Sequence, residues 1–208
     1  MALLLNVPYV EKDQAKALGA KWNPELKRWY ADVPRDYYKF RKWFSDPKAN
    51  LVVCNQIYIV VGKDRCFRCK NDTNVISLAV DAYDNLKGTP SSFCDGDIHF
   101  IEDIENPPEA LQKYLLDNHR YYKGYSKTTQ NYYFGNHCEH CGTLQGNYYL
   151  YHEIDSLFWI QSASQAASLT VYCIPLPYDL ELRATVRWGE DDYLINEYAE
   201  FIDLDLDL

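Results

Sequence analysis

The chain of 208 residues is long enough to bury a core, and 47% of its residues are apolar. Its net charge of −9 is uneven, because residues 1–50 carry a net +4 and the remainder carries −13. This acidic remainder is either a solvated face or a surface for a basic partner, and it disfavours contact with a phosphate backbone. No window has the roughly 18 apolar residues that cross a membrane, and the start lacks the basic segment of a signal peptide. The sequence therefore predicts a cytoplasmic protein with no membrane association.

Residues 1–47 predict a small basic α/β module. In chain order the predicted elements are a strand over 3–7, a helix over 11–18, a strand over 28–31 and a helix over 36–44. Gly19 follows the first helix where a left-handed cap belongs. Asp46-Pro47 ends the second helix, so residues 47–50 are the expected linker to a second unit.

The module carries a set of motifs shared with a known domain. LNVPY at residues 5–9, EKD-x-AK-x-LGA-KW at residues 11–22 and WY at residues 29–30 closely resemble a small bacterial and phage domain of uncharacterised function. The resemblance covers about the first quarter of the chain. Members of that family are attached to varied proteins, including plasmid primases and other DNA-processing enzymes. The resemblance thus implies an association with nucleic acid, and it carries no catalytic residue.

Basic residues of the module form a candidate nucleic-acid surface. They are Lys21, Lys27, Arg28, Lys39, Arg41 and Lys42. Trp22, Trp29 and Trp43 lie close to them in sequence, and bases stack on such rings while cations hold phosphates. The alternative is that these tryptophans form the small core of the module.

Residues 51–208 predict an acidic, mainly antiparallel β domain with some helix, so the fold class is α+β. Strand patterns cover 56–61, 75–80, 98–101, 148–151, 169–174 and 180–186. A helix is predicted from Pro107-Pro108-Glu109 to about Asn118. From Ile202 to Leu208 apolar residues alternate with aspartates, which predicts either an edge strand with protective outward charge or a negative ridge for a basic partner.

Two CxxC pairs carry the chemistry of this second unit. They are Cys66-x-x-Cys69 and Cys138-x-x-Cys141. Two thiolates at this spacing can face one Zn²⁺ from a tight turn, so two pairs complete a tetrahedral Cys₄ shell. The gap from Cys69 to Cys138 is 68 residues, against about 15–20 in the compact pattern. The unit therefore resembles a split zinc ribbon with a folded insertion, and one structural Zn²⁺ per chain is expected.

A closed Cys₄ shell predicts a structural metal, because catalytic zinc keeps an open position. His137, His140 or Cys94 could each replace a thiolate ligand, and this alternative stays open. The sequence lacks phosphate-cradling, dinucleotide and serine-hydrolase motifs, so no catalytic residue is predicted. An enzyme that uses Cys94 or an open metal position ranks last.

Tyrosines cluster around the second thiol pair. The candidate binding residues are Tyr121, Tyr122, Tyr125, Tyr132 and Tyr133. Tyrosine is favoured at protein interfaces and also stacks on bases, whereas the simplest role is packing of the ribbon against the sheet. The leading hypothesis is a non-catalytic protein that binds a protein partner, as an immunity or inhibitor protein does. The alternative is a nucleic-acid-binding accessory protein.

Overall fold

A computed structural model describes residues 1–87 and 90–208 and confirms the α+β class. The strands are β1 (Leu3–Leu5), β2 (Lys21–Asn23), β3 (Arg28–Ala31), β4 (Leu51–Val53), β5 (Gln56–Arg65), β6 (Asp72–Asn85), β7 (Ser91–Ile104), β8 (Tyr121–Ser126), β9 (Asn131–Asn136), β10 (Thr170–Pro175), β11 (Leu180–Leu182), β12 (Ala184–Arg187) and β13 (Glu200–Asp203). The α-helices are α1 (Lys12–Ala17), α2 (Glu109–His119), α3 (Asn147–Tyr151), α4 (Ala163–Ala166) and α5 (Tyr193–Tyr198). The 3₁₀ helices are Tyr9–Glu11 and Pro34–Trp43.

The N-terminal residues form an antiparallel sheet in the order β1-β3-β2, flanked by α1 and the longer 3₁₀ helix. Gly19 has φ +104°, which confirms the predicted left-handed cap after α1. The second predicted helix is of the 3₁₀ type. Three residues per turn place Tyr37, Phe40 and Trp43 on one line, and all three are buried. The predicted helix over 36–44 is therefore present, and its type is 3₁₀ rather than α.

The large sheet is organised around β6. Its first part pairs with β5, its last three residues pair with β4, and β7 lies along its other edge. From these strands the sheet extends to β12 beyond β7, to β10 and then β13 beyond β5, and to β11 beyond β4. The predicted strands over 56–61, 75–80, 98–101 and 169–174 are confirmed, and the first three are longer than their apolar centres.

Three sequence predictions need correction. The strand expected over 148–151 is the helix α3, because Leu150 and Tyr151 are buried together while the two preceding tyrosines are exposed. The strand expected over 180–186 breaks at Arg183, and its halves pair with different strands, β4 and β7. The C-terminal strand ends at Asp203, although the alternation persists as half-buried leucines and exposed aspartates up to residue 208.

The N-terminal module shares a buried core with the second unit. Leu3, Leu5 and Phe40 pack in one cluster with Val52 and Ala82. The predicted boundary at residues 47–51 thus lies beside a continuous apolar contact, and the division into units 1–47 and 51–208 stays a prediction. Within the described ranges, no helix is both long and apolar enough to cross a membrane.

Candidate metal centre and tyrosine groove

The first thiol pair lies in the turn between β5 and β6. The Cys66 N–H donates to the Asn71 carbonyl at 2.9 Å, and the Lys70 N–H donates to the Cys66 carbonyl at 2.9 Å. Lys70 takes a left-handed conformation with φ +64°. This turn brings the sulfurs of Cys66 and Cys69 to the same side.

The second thiol pair repeats this geometry after β9. The Cys138 N–H donates to the Thr143 carbonyl at 3.0 Å, and the Gly142 N–H donates to the Cys138 carbonyl at 2.9 Å. Gly142 has φ +68°, at the position equivalent to that of Lys70. The His140 N–H lies 3.4 Å from the Cys138 sulfur, a backbone donor of the kind that stabilises a bound thiolate. The two turns are therefore a matched pair of thiol-bearing knuckles with the backbone geometry that suits a metal ion.

The two knuckles meet, and the sulfurs of all four cysteines lie within 4.8 Å of one another. Sγ of Cys66 is 3.7 Å from Sγ of Cys141, and Sγ of Cys69 is 3.6 Å from Sγ of Cys138. A tetrahedral ion with metal–sulfur bonds of about 2.3 Å requires sulfurs roughly 3.8 Å apart. The four side chains thus fit one metal ion, consistent with a split zinc ribbon.

Side-chain hydrogen bonds attach the second knuckle to the start of β6. They bring together two thiol pairs that are far apart in sequence. The Asn136 amide oxygen accepts from the Ile76 N–H at 2.7 Å, and its NH₂ group donates to the Ile76 carbonyl at 2.8 Å. The Glu139 carboxylate accepts from the backbone and side-chain N–H groups of Asn74 at 3.0 and 3.1 Å. These contacts hold the end of β9 beside the knuckle of the β5–β6 turn.

The thiols differ in acidity. Hydrogen bonds of the Cys141 sulfur with the hydroxyl and the backbone of Thr143 lower the pKa of Cys141 to about 6. Burial raises the pKa of Cys66, but the backbone N–H groups of Cys69 and Arg68 outweigh it and lower the pKa overall. The Asn71 N–H lowers the pKa of Cys69, whereas burial and the neighbouring sulfurs raise it to about 11. Metal binding must therefore displace protons from this cluster.

The residues considered as substitute ligands make other contacts. Nδ1 of His137 is 3.0 Å from the Gly135 carbonyl, and its ring stacks on Tyr122 with centroids 3.7 Å apart. The side chain of His140 lies 2.9 Å from a backbone carbonyl at the start of β6. Cys94 is exposed on β7. Among the residues that the structure describes, the group of potential metal ligands therefore consists of the four cysteines of the two knuckles.

A groove of about 880 Å³ lies between the β8–β9 hairpin, the end of β7 and α3. Tyr132 lines it from the hairpin and is 61% exposed, and Tyr148 and Tyr149 line it from α3 at 60% and 61%. Charged groups of the lining include Asp103 and Glu105 at the end of β7. The remaining charged lining residues are Lys123 and Arg183. The groove combines aromatic surface with carboxylates.

The predicted binding tyrosines divide into three kinds. Tyr132 and Tyr133 line the groove, and Tyr125 packs against Tyr132 with ring centroids 5.0 Å apart. Tyr122 covers the His137 ring. Tyr121 is wrong as a surface residue, because it begins β8 next to α2 and its side chain is buried in the main core. Tyr148 and Tyr149, which follow the second thiol pair in sequence and belong to the same tyrosine cluster, also line the groove.

Three of the six residues of the predicted basic surface are paired with carboxylates of the module. Ion pairs join Lys21 to Asp32, Lys39 to Asp36 and Lys42 to Glu11, and Arg28 donates to Asn6. Arg41 donates to the carbonyls of Leu86 and Ala49 at 3.3 Å, so it connects the module to the second unit. Lys27 lies in the turn between β2 and β3. Trp43 is buried, as the alternative prediction required, whereas Trp22 is 49% exposed.

A buried histidine cluster on β7 was not anticipated. His99 lies between two carboxylates, with Nδ1 2.9 Å from Asp192 and Nε2 3.1 Å from Asp95, and its ring stacks on Trp188 at 4.1 Å. Burial lowers the pKa of His99, but the two carboxylates outweigh it and raise the pKa above its ordinary value. Asp95 lies four residues before His99, whereas Asp192 and Trp188 are distant in sequence, so no local signal could reveal the complete cluster.

Comparisons with known proteins concern the N-terminal residues. Residues 3–45 match a domain of unknown function, DUF5710, which confirms the resemblance drawn from the motifs. Two proteins named DNA primase TraC, both from Escherichia coli, are each 49% identical to this chain over 39 residues. That stretch is 19% of this chain, and it covers 3% of one relative and 4% of the other. No solved structure matches the chain.

Proposed function

We propose that this is a non-catalytic binding protein that engages a polypeptide partner through the tyrosine-lined groove. The observation that supports this most is the exposure of Tyr132, Tyr148 and Tyr149 around one concavity. Tyrosine combines a large rigid contact area with a hydrogen-bonding hydroxyl, which is why it is enriched in interface hot spots. The groove lies on regular elements beside the knuckles and is therefore preformed.

We propose that the metal of the four-cysteine centre is Zn²⁺ and that its role is structural. Four thiolates at tetrahedral spacing suit zinc, and such a shell leaves no position for water. When bound, the ion supplies cross-linking of the two knuckles rather than chemistry on a substrate. This accords with a binding protein rather than an enzyme.

The acidic surface suggests the kind of partner. Residues 51–208 carry most of the negative charge, which attracts basic surfaces and accelerates association with them. A protein that blocks the basic groove of another protein, as an immunity or inhibitor protein does, would use such a surface. We therefore place an inhibitor-like role first.

Co-purification from the source organism tests this proposal. A tagged chain is expected to recover a stoichiometric protein partner, and the double variant Tyr132→Ala/Tyr148→Ala is expected to lose it. Tyr9→Ala is the matched control, because Tyr9 is 79% exposed in the N-terminal module, away from the groove. Recovery of no partner, or equal recovery by the double variant, would reject the proposal.

The second candidate is a nucleic-acid-binding accessory protein, favoured by the likeness of the N-terminal residues to the two DNA primases TraC. Its weakness is that three of the six basic residues are paired with carboxylates. Titration of labelled single- and double-stranded DNA at two salt concentrations separates the candidates. Affinity that falls with salt and weakens in Lys27→Ala would support this role, and absence of binding would reject it.

A further inference from the structure

Asp103 holds a fixed carboxylate at one wall of the groove. Nδ2 of Asn147 donates to Oδ1 of Asp103 at 3.2 Å and to the Glu102 carbonyl at 3.0 Å. Asn147 is the first residue of α3, so this amide joins the end of β7 to the helix that carries the groove tyrosines. The amide of Asn147 therefore positions the Asp103 carboxylate. Because the amide is uncharged, it does not neutralise the carboxylate.

Two carboxylates, Glu102 and Glu105, neighbour Asp103. Burial and the neighbouring charge of Glu102 raise the pKa of Asp103, Glu105 adds to this, and His152 and the Asn147 amide oppose it. His152 is itself in contact with Glu102. Arg183, a cation of the groove lining, is shared between Asp46 at 2.7 Å and Glu105 at 3.0 Å. A further positive charge beside Asp103 would thus be stabilised.

Two exposed rings, at right angles to each other, line the same groove as this carboxylate. The centroids of Tyr148 and Tyr149 are 5.7 Å apart, and their planes meet at 89°. Both follow Asn147 directly in α3. The face of a tyrosine ring attracts a cation by about 0.5–1 kcal/mol at an exposed site. The two rings form a right-angled corner, and a carboxylate in the same groove makes that corner suited to a cationic group with an apolar stem.

We propose that this corner captures a lysine or arginine side chain of the partner, with Asp103 as its counter-ion and Tyr148 and Tyr149 as its walls. The inference rests on the proposed function, since it names the residue by which a polypeptide is anchored in the groove. A long basic side chain places its methylene stem on the rings and its charge at the carboxylate. A phosphate-bearing ligand is disfavoured next to Asp103, because the carboxylate repels it.

The test uses three capped tripeptides in which lysine, arginine or norleucine stands between two glycines. The zinc-loaded full chain, with isotope-labelled tyrosine, is titrated with each peptide by NMR. The lysine and arginine peptides are expected to shift the resonances of Tyr148 and Tyr149 saturably, whereas the uncharged norleucine peptide leaves them in place. The affinity is expected to fall with added salt, because the contact is ionic.

Asp103→Asn is the critical variant, because the amide keeps an oxygen for Asn147 and removes the charge. It is expected to weaken binding of the lysine peptide at least about fivefold, which corresponds to the loss of one partly desolvated ion pair. Asp205→Asn is the control, since Asp205 is an exposed carboxylate in the C-terminal segment, outside the groove. Equal weakening by both variants would overturn the inference, because it would reflect net charge alone.

The outcomes for the two proposals are distinguishable. If the natural partner is lost in Tyr132→Ala/Tyr148→Ala but binds Asp103→Asn normally, the groove binds a polypeptide and the cationic anchor is rejected. If the cationic peptides bind as expected but no protein partner is recovered, the anchor stands without the proposed function. Norleucine binding as tight as that of lysine would also reject the anchor.

Discussion

Lys70 and Gly142 occupy equivalent positions in the two knuckles, and both have left-handed backbones. Glycine takes this conformation without cost, whereas a residue with a Cβ loses roughly 1–2 kcal/mol. An added Cβ at Gly142 would meet no atom within 4 Å, so backbone conformation alone decides the effect of a substitution there. The pair therefore provides a reciprocal test of the knuckle geometry.

The two single substitutions that place glycine at position 70 or lysine at position 142 are expected to change the free energy of unfolding in opposite directions. Lys70→Gly should raise the free energy of unfolding by about 0.5–1 kcal/mol, because relief of strain exceeds the added entropy of the unfolded chain. Gly142→Lys should lower it by about 1 kcal/mol. Denaturant unfolding of the zinc-loaded protein measures both. A loss of stability in Lys70→Gly would contradict the equivalence of the two turns.

Protonation of His99 makes the free energy of unfolding depend on pH, and the direction of its pKa shift gives the sign of that dependence. Its pKa in the folded state lies above the unfolded value of 6.5, despite the opposing effect of burial, because Asp192 and Asp95 stabilise the cation. This contribution is complete below pH 6.5 and is lost as pH rises through the folded pKa. His99→Gln should therefore be most destabilising at low pH, with a difference from the parent that shrinks as pH rises. Unfolding curves of both zinc-loaded proteins at several pH values check this, and a constant difference would contradict it.

At the scale of elements, Asn136 connects two strands that are not neighbours in the sheet. Its amide makes two hydrogen bonds to the backbone of Ile76, and its side chain is buried. The amide replaces the ladder partner that β6 lacks at this point. This contact holds the β8–β9 hairpin against the large sheet.

Removal of that amide should separate the hairpin from β6. Asn136→Ala leaves a buried N–H and a buried carbonyl of Ile76 without partners, which is expected to cost about 2–4 kcal/mol. Asn131→Ala is the control, because Asn131 is an exposed residue of the same strand, and it should cost less than about 0.5 kcal/mol. Thermal unfolding compares the stability of the two variants. Equal losses would show that the hydrogen bonds of Asn136 to Ile76 do not stabilise the protein.

The elements that the sequence could predict are those with a local cause. Gly19 ends α1 because its backbone is left-handed, and the apolar centres of β5, β6 and β10 mark buried strands. The wrong strand predictions are explained by tertiary contacts. A run of four apolar residues fits a strand or a helix equally, so burial of Leu150 and Tyr151 decided α3. The predicted strand over 180–186 breaks at Arg183 because its two halves pair with different strands, which no local pattern records.

At the scale of the whole molecule, the metal ligands could be predicted because thiolate spacing is a chemical requirement. How the knuckles meet could not, because the contacts of Asn136 and Glu139 with β6 span 60 and 65 residues. The groove could not be predicted from the sequence for the same reason. Its walls belong to the β8–β9 hairpin before the second knuckle, to α3 after it and to the end of β7, so they come from separate parts of the sequence.

Removal of the metal should therefore abolish both the fold of this region and the binding of a partner. One zinc ion per chain is expected by elemental analysis, and Cys138→Ser should lose most of it together with tertiary structure, because metal binding energy here is folding energy. Cys94→Ser is the matched control, since Cys94 is an exposed cysteine outside the cluster. Near-ultraviolet circular dichroism and partner capture before and after treatment with a chelator measure the effect. A chelated protein that keeps its tertiary signal and its partner would show that the contacts of Asn136 and Glu139 suffice to hold the knuckles together without metal.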